Sequence, residues 1–227
     1  MTVPCLMLVL DPLLVVIEDA EEQDLDIPFS PKDPRMGSHT IRLTRKVYIG
    51  RSDFREIDSN DYFRLAPGKT VDLVQMPYPI KAVSFVKDEI LGTVKEIRAV
   101  FVREGKKPKT YIHWVPEGSP RAEVRVYTTL FKSDNPATTP GGFMSDINPE
   151  SETIWLNAMI EPGFGEVRRR APWPASRRRE DWGEIGPESE RFQGMRTGYF
   201  ALDSDCTDDK IVLNRIVELK EDSGKTW

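Results

Sequence analysis

The stretch TIRLTRKVYIG, residues 40–50, has the spacing of apolar side chains that decides the fold class. Apolar residues occur at every second position on either side of a central arginine, at Ile41, Leu43, Val47 and Ile49. Because successive side chains of a β-strand point to opposite faces, these residues share one face. The stretch is therefore predicted to form half-buried antiparallel strand structure.

Two segments further along the chain repeat this spacing. RAEVRVYTTLF (121–131) has apolar side chains at Ala122, Val124, Val126 and Leu130, and KIVLNRIVELK (210–220) has them at Ile211, Leu213, Val217 and Leu219. Turn sequences rich in Gly and Pro separate such segments, and 18 prolines leave little room for long helices. The sequence therefore predicts an all-β protein, a barrel or sandwich architecture, with short helical turns near 51–58 and 141–151.

The N-terminal region contains an apolar stretch from Leu6 to Ile17. Asp11-Pro12 interrupts this stretch and no basic residue precedes it, so a secretory signal is not indicated. The stretch is also too short to span a bilayer. We expect two strand-like pieces that meet at Asp11-Pro12, and no membrane as a partner.

The cysteines, the histidines and the absence of known catalytic motifs limit the kinds of chemistry that the sequence indicates. The two cysteines, Cys5 and Cys206, and the two histidines, His39 and His113, form no disulfide framework or metal-ligand pattern. No phosphate-binding loop, nucleophile elbow or zinc-protease motif is present, so we assign no catalytic residue. We expect a chain that is not a self-sufficient enzyme, that holds no metal or cofactor, and that resides in the reducing cytoplasm.

Charge is unevenly distributed along the sequence. The formal net charge is -5, yet residues 168–179 are strongly basic. Net acidity argues mildly against a nucleic-acid partner, whereas a local basic run can contact phosphates. Residues 163–190 have no usable period and are predicted to be an Arg-rich surface loop, either an unconstrained insertion or a segment that holds RNA phosphates. The candidate backbone contacts are Arg168, Arg169, Arg170, Arg177, Arg178 and Arg179.

Four aromatic residues have two different expected roles. Trp114 and Tyr127 lie within strand patterns and are predicted to pack in the core or against a neighbouring strand. Trp173 and Trp182 lie in the Arg-rich loop and are the better candidates for stacking on bases.

Several motifs, taken in order, resemble one protein family. They are PKDPRMGSHTIRLTRKVYIGRSDFREIDSNDYFRLAPGKTVDL (31–73), YIHWVPEGSPRAEVRVYTTLF (111–131), INPES (147–151), RFQGMRTGYFALD (191–203) and VLNRIVELK (212–220). Their order and spacing resemble the C-terminal anticodon-binding region of glutaminyl-tRNA synthetases, most closely the eukaryotic type. The resemblance runs from about residue 8 to residue 227 and leaves out the Arg-rich insertion.

The resemblance implies a fold, a partner and a missing part. It implies two antiparallel β-barrels, a proximal one built from 1–58 and 132–227 and a distal one built from 59–131. It implies binding of the tRNA(Gln) anticodon loop, not DNA, in support of ATP-dependent glutaminylation. ATP, with Mg, would belong to an upstream catalytic domain whose motifs this chain lacks. We therefore expect an anticodon-binding fragment, a truncated product or one half of a split gene.

The resemblance also implies which residues read the anticodon. The family's middle-base contact falls on Gln193, whose amide matches the donor and acceptor of a uracil edge. Arg196 matches a further contact, to base or phosphate. Arg64 matches the arginine that reads the third base, where a guanidinium suits the O6 and N7 acceptors of guanine. We expect the Pro67-Gly68 turn to fix the backbone that aims Arg64.

Three positions depart from the family pattern. Cys5 replaces an arginine that helps to read the middle base, Asp72 replaces a bacterial arginine that serves the first base, and Phe63 replaces a bacterial lysine. Reading of the first base is therefore the part that the resemblance does not explain. Two alternatives stay open, the C-terminal region of a glutamyl-tRNA synthetase and a protein-interaction barrel that has lost tRNA recognition.

Overall fold

The computed structural model describes residues 3–105, 108, 110–173 and 186–219, and β-strands make up most of its regular structure. In chain order the strands are β1 (Cys5–Leu6), β2 (Leu8–Val9), β3 (Pro12–Ile17), β4 (Gln23–Pro28), β5 (Ser38–Leu43), β6 (Lys46–Gly50), β7 (Thr70–Leu73), β8 (Ile80–Lys87), β9 (Val94–Phe101), β10 (Tyr111–Ile112), β11 (Trp114–Pro116), β12 (Arg121–Tyr127), β13 (Glu152–Ile160), β14 (Arg191–Gly194), β15 (Gly198–Leu202) and β16 (Ile211–Val217). The predicted all-β class is confirmed.

Two barrel-like sheets of seven strands organise these elements. The first sheet has the order β1-β14-β15-β16-β12-β13-β2, and the second has the order β10-β7-β8-β9-β3-β6-β11. Strands β4 and β5 form a separate hairpin. The predicted all-antiparallel pairing is wrong, because the sheets are mixed. Four pairs are parallel: β1–β14, β3–β9, β7–β10 and β12–β16. Strands that enter a sheet from distant parts of the chain are not constrained by a hairpin turn, so either direction of pairing is open to them.

The chain changes sheets at the predicted break in its N-terminal apolar stretch. Strand β2 pairs in the first sheet, and β3, which starts at Pro12, pairs in the second. Strands β3 and β6 precede residue 59 yet join β7–β9, while β12 lies within 59–131 and joins the first sheet. The predicted division at 59–131 stays a prediction, since sheet membership describes hydrogen bonding and not independent folding.

Two hydrophobic cores fill the sheets, and the alternation seen in residues 40–50 supplies part of one of them. Ile41, Leu43, Val47 and Ile49 are all fully buried in the core beneath the second sheet, although the chain turns between β5 and β6. The core of the first sheet includes Val124, Phe192, Phe200 and Leu213. The pattern is misleading at Val217, the last residue of β16, and at Leu130, which lies beyond β12, because both are more than half exposed.

The segment 163–190 is only partly the surface loop that we predicted. Helix α1 (Phe164–Arg169) occupies its start, and Phe164 and Val167, three positions apart, are buried on one face of the helix. The residue before α1 is Gly163, where a side chain has no room because a Cβ would lie 2.5 Å from the His39 ring. The Arg-rich composition of the segment obscures this short helical spacing, so the loop prediction fails for its first turns.

Short 3-10 helices complete the described structure. They span Pro34–Met36, Arg51–Asp53, Pro136–Thr138, Phe143–Asp146 and Pro187–Ser189. Helical turns were predicted near 51–58 and 141–151, and the structure confirms both. The turn at Arg51–Asp53 follows β6 directly, and it brings a carboxylate into the junction between the two sheets.

Candidate nucleic-acid interface

Arg64 and Arg196 lie together at the junction of the sheets, although 132 positions separate them in the chain. Both guanidiniums contact the carboxylate of Asp53, which is 2% exposed. Arg196 binds it end-on, with Nη1 3.0 Å from Oδ2 and Nη2 2.9 Å from Oδ1. Arg64 Nε lies 3.3 Å from the same Oδ1, and Arg64 Nη1 donates to the Ser52 carbonyl at 3.2 Å. The structure thus brings two of the three predicted reading residues to one carboxylate.

The backbone around Arg64 is held on both sides. Leu65 N donates to the Asp53 carbonyl at 3.0 Å, which ties the segment to the turn that carries the carboxylate. Beyond it, Gly68 N donates to Ala82 O at 2.8 Å with a φ of 79°, a conformation that suits glycine. The Pro67-Gly68 turn is therefore hydrogen-bonded to β8 just after Arg64, and its role in aiming Arg64 stays a prediction.

Arg196 lies in the tight turn between β14 and β15. Its φ is 63°, a left-handed conformation that is uncommon for a residue with a side chain. Gly194 and Gly198 pair at the base of the turn, and Thr197 N donates to Gly194 O at 3.1 Å. Glycine is required at position 198, where a Cβ would lie 2.8 Å from the Val217 carbonyl oxygen. The turn therefore projects Arg196 from the first sheet towards Asp53.

Gln193 lies on β14, the strand that leads into this turn. It pairs with Cys5 of β1, and Gln193 N donates to Pro4 O at 2.8 Å. The Cys5 thiol lies 3.7 Å from Gln193 Oε1, within range of a weak sulfur hydrogen bond. Burial raises the pKa of the Cys5 thiol to about 11, so the thiol is neutral. The departure at Cys5 thus places a neutral donor beside the predicted middle-base residue.

His113 is the fourth member of the junction cluster, which we define as Asp53, Arg64, His113 and Arg196. Its Nδ1 lies 3.4 Å from Arg196 Nη1, and the residue, which lies between β10 and β11 in the chain, is buried. Burial, together with the positive charge of Arg196, lowers the pKa of His113 to about 4. The imidazole is therefore neutral at physiological pH, and its Nδ1 is available to accept from the guanidinium.

Neither Asp53 nor His113 was among the residues that sequence reasoning selected. Asp53 lies in a charged run, RSDFREID, where nothing local distinguishes a buried carboxylate from a solvated one. The only available signal was its position directly after a half-buried strand, in a predicted helical turn.

Two aromatic residues flank Arg64 in sequence and behave oppositely. Tyr62 is buried beneath the Arg55 guanidinium, which lies 4.4 Å from the ring centroid. Burial and the nearby Asp53 carboxylate raise the pKa of Tyr62 to about 12. Phe63, one of the three departures from the family pattern, is 67% exposed. Its ring is an exposed apolar surface at the position before Arg64 in the chain.

Asp72, the third departure, lies in β7 and is 6% exposed. Its Oδ2 accepts no hydrogen bond within the described residues. It lines an open pocket of about 230 Å³, together with Tyr78 and Arg103, whose guanidinium lies 5.5 Å from the Tyr78 ring centroid. Asp72 is thus a buried carboxylate, and the way the first base is read stays a prediction.

The first three arginines of the basic run contact other groups of the protein. Arg168 Nε donates to Glu190 Oε2 at 2.7 Å, and Arg169 contacts Glu166. Arg170 Nη1 donates to Met36 O at 2.7 Å. Each of these three arginines therefore has a structural contact, with Arg169 the most exposed. The other candidates, Arg177, Arg178 and Arg179, lie outside the described residues.

The aromatic predictions have mixed outcomes. Trp173 is not a base-stacking surface, because it is 2% exposed and its Nε1 donates to Val167 O at 3.0 Å. Its ring fills the space between α1 and the first sheet, which is why the predicted role fails. Trp114 is fully buried, which confirms the core prediction. Tyr127 is about half exposed at the end of β12, and Trp182 lies outside the described residues.

The described ranges contain neither a candidate metal centre nor a helix that could span a membrane. Within them, no group of three or more His, Cys, Asp and Glu side chains could hold a metal ion. Of the helices placed in these ranges, none has the length and apolar character needed to cross a membrane.

Comparison with known proteins agrees with the resemblance drawn from the motifs. Two family models described as "tRNA synthetases class I (E and Q), anti-codon binding domain" match residues 3–102 and 111–171. The first covers the Asp53 turn and Arg64, and the second begins at β10, two residues before His113.

Curated relatives point to the glutamine branch. "Glutamine--tRNA ligase protein virJ" of Hypocrea virens is 72% identical over 99% of this chain and 35% of its own length. "Glutamine--tRNA ligase" of Saccharomyces cerevisiae is 42% identical over 99% of the chain and 30% of its own length. "Probable glutamine--tRNA ligase" of Schizosaccharomyces pombe is 44% identical over 99% of the chain and 29% of its own length. The chain thus spans about a third of the relatives that it matches. It belongs to the anticodon-binding domain family of the class I tRNA synthetases (E and Q).

Proposed function

We propose that this chain binds the anticodon loop of tRNA(Gln) and, joined to a catalytic domain, supports ATP-dependent glutaminylation in the cytoplasm. The observation that carries the proposal is the convergence of Arg64 and Arg196 at one sheet junction in a member of an anticodon-binding family. ATP and Mg²⁺ would be held by the catalytic domain and not by this chain.

The roles of the reading residues follow from their chemistry. Gln193 presents an amide that can pair with the Watson–Crick edge of a uracil at the middle position. Arg64 presents donors that suit the O6 and N7 acceptors of a guanine at the third position. Arg196 contacts base or phosphate beside them. Arg168, Arg169 and Arg170 would act on the RNA backbone only after exchanging a present contact for a phosphate, which is easiest for exposed Arg169.

Base substitution in the RNA tests the role of Gln193 directly. The probe is an RNA hairpin that carries a tRNA(Gln) anticodon, compared with the same hairpin in which cytosine replaces the middle uracil. Gln193→Ala should weaken binding of the uracil hairpin by ~1–3 kcal/mol and reduce the preference for uracil. Gln23→Ala on β4 is the matched control, since it makes the same change away from the junction. An equal loss with both hairpins would contradict base reading by Gln193.

Salt and sugar dependence test whether the partner is RNA. The logarithm of the binding constant should fall linearly with the logarithm of the salt concentration, because binding to phosphates releases counterions from the RNA. A DNA hairpin of the same sequence should bind more weakly, since it lacks the 2′-hydroxyls that proteins use to distinguish RNA. Salt-independent binding would instead favour the alternative of a protein-interaction barrel.

A further inference from the structure

We propose that Asp53 is a positioning residue that holds Arg64, at the third base, and Arg196, beside Gln193 at the middle base, in one ion-pair cluster, so that the two bases are recognised cooperatively. The inference rests on the proposed function, and it adds a residue and a coupling that the family resemblance does not supply. Asp53 itself is 2% exposed, so it acts on RNA only through its two partners.

One oxygen atom is shared between the two arginines. Asp53 Oδ1 lies 2.9 Å from Arg196 Nη2 and 3.3 Å from Arg64 Nε, while Oδ2 lies 3.0 Å from Arg196 Nη1. Displacing one guanidinium therefore changes the charge and hydrogen bonding that the other one experiences. In a site with little solvent, such ion pairs are strong and polarise one another. The geometry thus supplies a physical route for coupling between the two reading residues.

The cluster also joins the two sheets at the proposed reading surface. Asp53 follows β6 of the second sheet, whereas Arg196 lies in the β14–β15 turn of the first. Arg64 is fixed to the Asp53 turn by its own bond to Ser52 O and by the Leu65 N to Asp53 O bond. Asp53 thus sets the distance between a residue carried by one sheet and a residue tied to the other.

The neighbouring groups favour a single arrangement of this cluster. His113 Nδ1 lies 3.4 Å from Arg196 Nη1, on the same nitrogen that binds Asp53 Oδ2. The neutral ring offers an acceptor and adds no competing positive charge. Arg196 is therefore held between an anion and a neutral acceptor, which restricts the orientations open to its guanidinium.

The test measures base preference with the full 227-residue chain. Three RNA hairpins are used: one with the tRNA(Gln) anticodon, one with its middle base changed and one with its third base changed. The variants are Asp53→Asn, Arg64→Ala, Arg196→Ala and the double arginine variant. Asp24→Asn is the matched control, because Asp24 also binds an arginine, Arg42 at 3.0 Å, but on the exposed β4–β5 hairpin.

Asp53→Asn should reduce the preference at both the middle and the third base by about 10-fold, equal to about 1.4 kcal/mol each. Asp24→Asn should leave both preferences unchanged. The double arginine variant should lose less than the product of the two single losses, because each single variant already disturbs the other arginine through Asp53. Thermal unfolding of each variant separates a folding defect from a change of base preference. The comparison of the single and double arginine variants keeps Asp53 itself, so it tests the coupling even if Asp53→Asn fails to fold.

Two results would overturn the inference, and they differ from failure of the proposed function. If Arg64→Ala and Arg196→Ala each lower a base preference but their losses multiply independently, the arginines read bases without coupling. If Asp53→Asn keeps both preferences while the arginine variants lose them, Asp53 does not position them. If no variant alters any preference, the proposed base reading fails, and the inference fails with it.

Discussion

Acid should destabilise this protein through His113, a buried group whose protonation the fold opposes. His113 lies between β10 and β11 in the chain, its ring is buried, and its protonation is affected by the guanidiniums of Arg196 and Arg64 and by the Asp53 carboxylate. Burial and the arginine charges outweigh the carboxylate, and they lower the pKa of His113 from 6.5 to about 4. Because the folded protein binds this proton less tightly than the unfolded chain does, the stability from this group is present above pH 6.5.

The size of the effect follows from the difference in pKa. At about 1.4 kcal/mol for each tenfold change in proton affinity, a fall from 6.5 to about 4 corresponds to about 3 kcal/mol. This stability is lost as the pH falls through that window, and about 2 kcal/mol of it is lost between pH 7 and pH 5. Other groups titrate in the same range, so the contribution of His113 must be isolated by comparison with a variant.

The comparison uses His113→Asn, whose amide oxygen can replace Nδ1 as the acceptor for Arg196. Urea unfolding, followed through tryptophan fluorescence, gives the free energy of unfolding of both proteins at several pH values. The variant should be less stable at neutral pH, but its stability should fall by about 2 kcal/mol less than that of the wild type between pH 7 and pH 5. Parallel pH profiles for the two proteins would refute the reasoning.

Three shorter predictions concern buried or tightly packed residues outside the junction cluster. Trp173→Ala should lower the free energy of unfolding by about 3–5 kcal/mol, measured by urea denaturation, because the ring is buried. A loss below about 0.5 kcal/mol is typical of surface positions and would contradict burial of the ring. Gly198→Ala should cost about 1–3 kcal/mol in the same assay, since its Cβ would approach Val217 O to 2.8 Å, and an unchanged midpoint would contradict that contact. In the native protein Cys5, with a raised pKa, should react with iodoacetamide more slowly than Cys206, as followed by mass spectrometry; equal rates would contradict burial of the Cys5 thiol.

Local patterns predicted the parts of the fold that local geometry determines. The alternation at Ile41, Leu43, Val47 and Ile49 predicts burial correctly because each side chain's face depends only on its own strand. The break at Asp11-Pro12 was also readable, since Pro limits the backbone at that point. Parallel pairing of β3 with β9 was not readable, because it depends on contacts between residues about 80 positions apart.

The Arg-rich composition of residues 163–190 led to a wrong prediction for α1, because it concealed a short helical spacing of apolar residues. The run of arginines after Val167 suggests a solvated loop, yet Phe164, Val167 and Trp173 form a buried group beside the first sheet. The spacing of three between Phe164 and Val167 was present in the sequence, but a single helical turn is too short to separate from chance. Pro174 and the residues up to 185 lie outside the described part, so the rest of that prediction stays untested.

The site was predictable as a set of residues and not as an arrangement. Motif resemblance selected Gln193, Arg196 and Arg64, and the structure brings the two arginines to one carboxylate. Asp53 was not predictable, because its burial results from the approach of two sheets and leaves no local pattern. The predicted roles in base reading stay predictions until binding is measured.

Charge balance within the junction cluster explains how an acidic chain can present a positive site. The chain carries a formal net charge of -5, but the cluster contains one carboxylate and two guanidiniums. His113 adds no charge at neutral pH, since its pKa lies at about 4. The cluster therefore keeps one net positive charge while each guanidinium remains oriented by Asp53. An isolated pair of arginines would carry more charge but would repel each other, whereas the shared carboxylate lets them lie together. Net positive charge and a fixed guanidinium orientation, both of which the proposed RNA contacts require, are thus compatible at this junction.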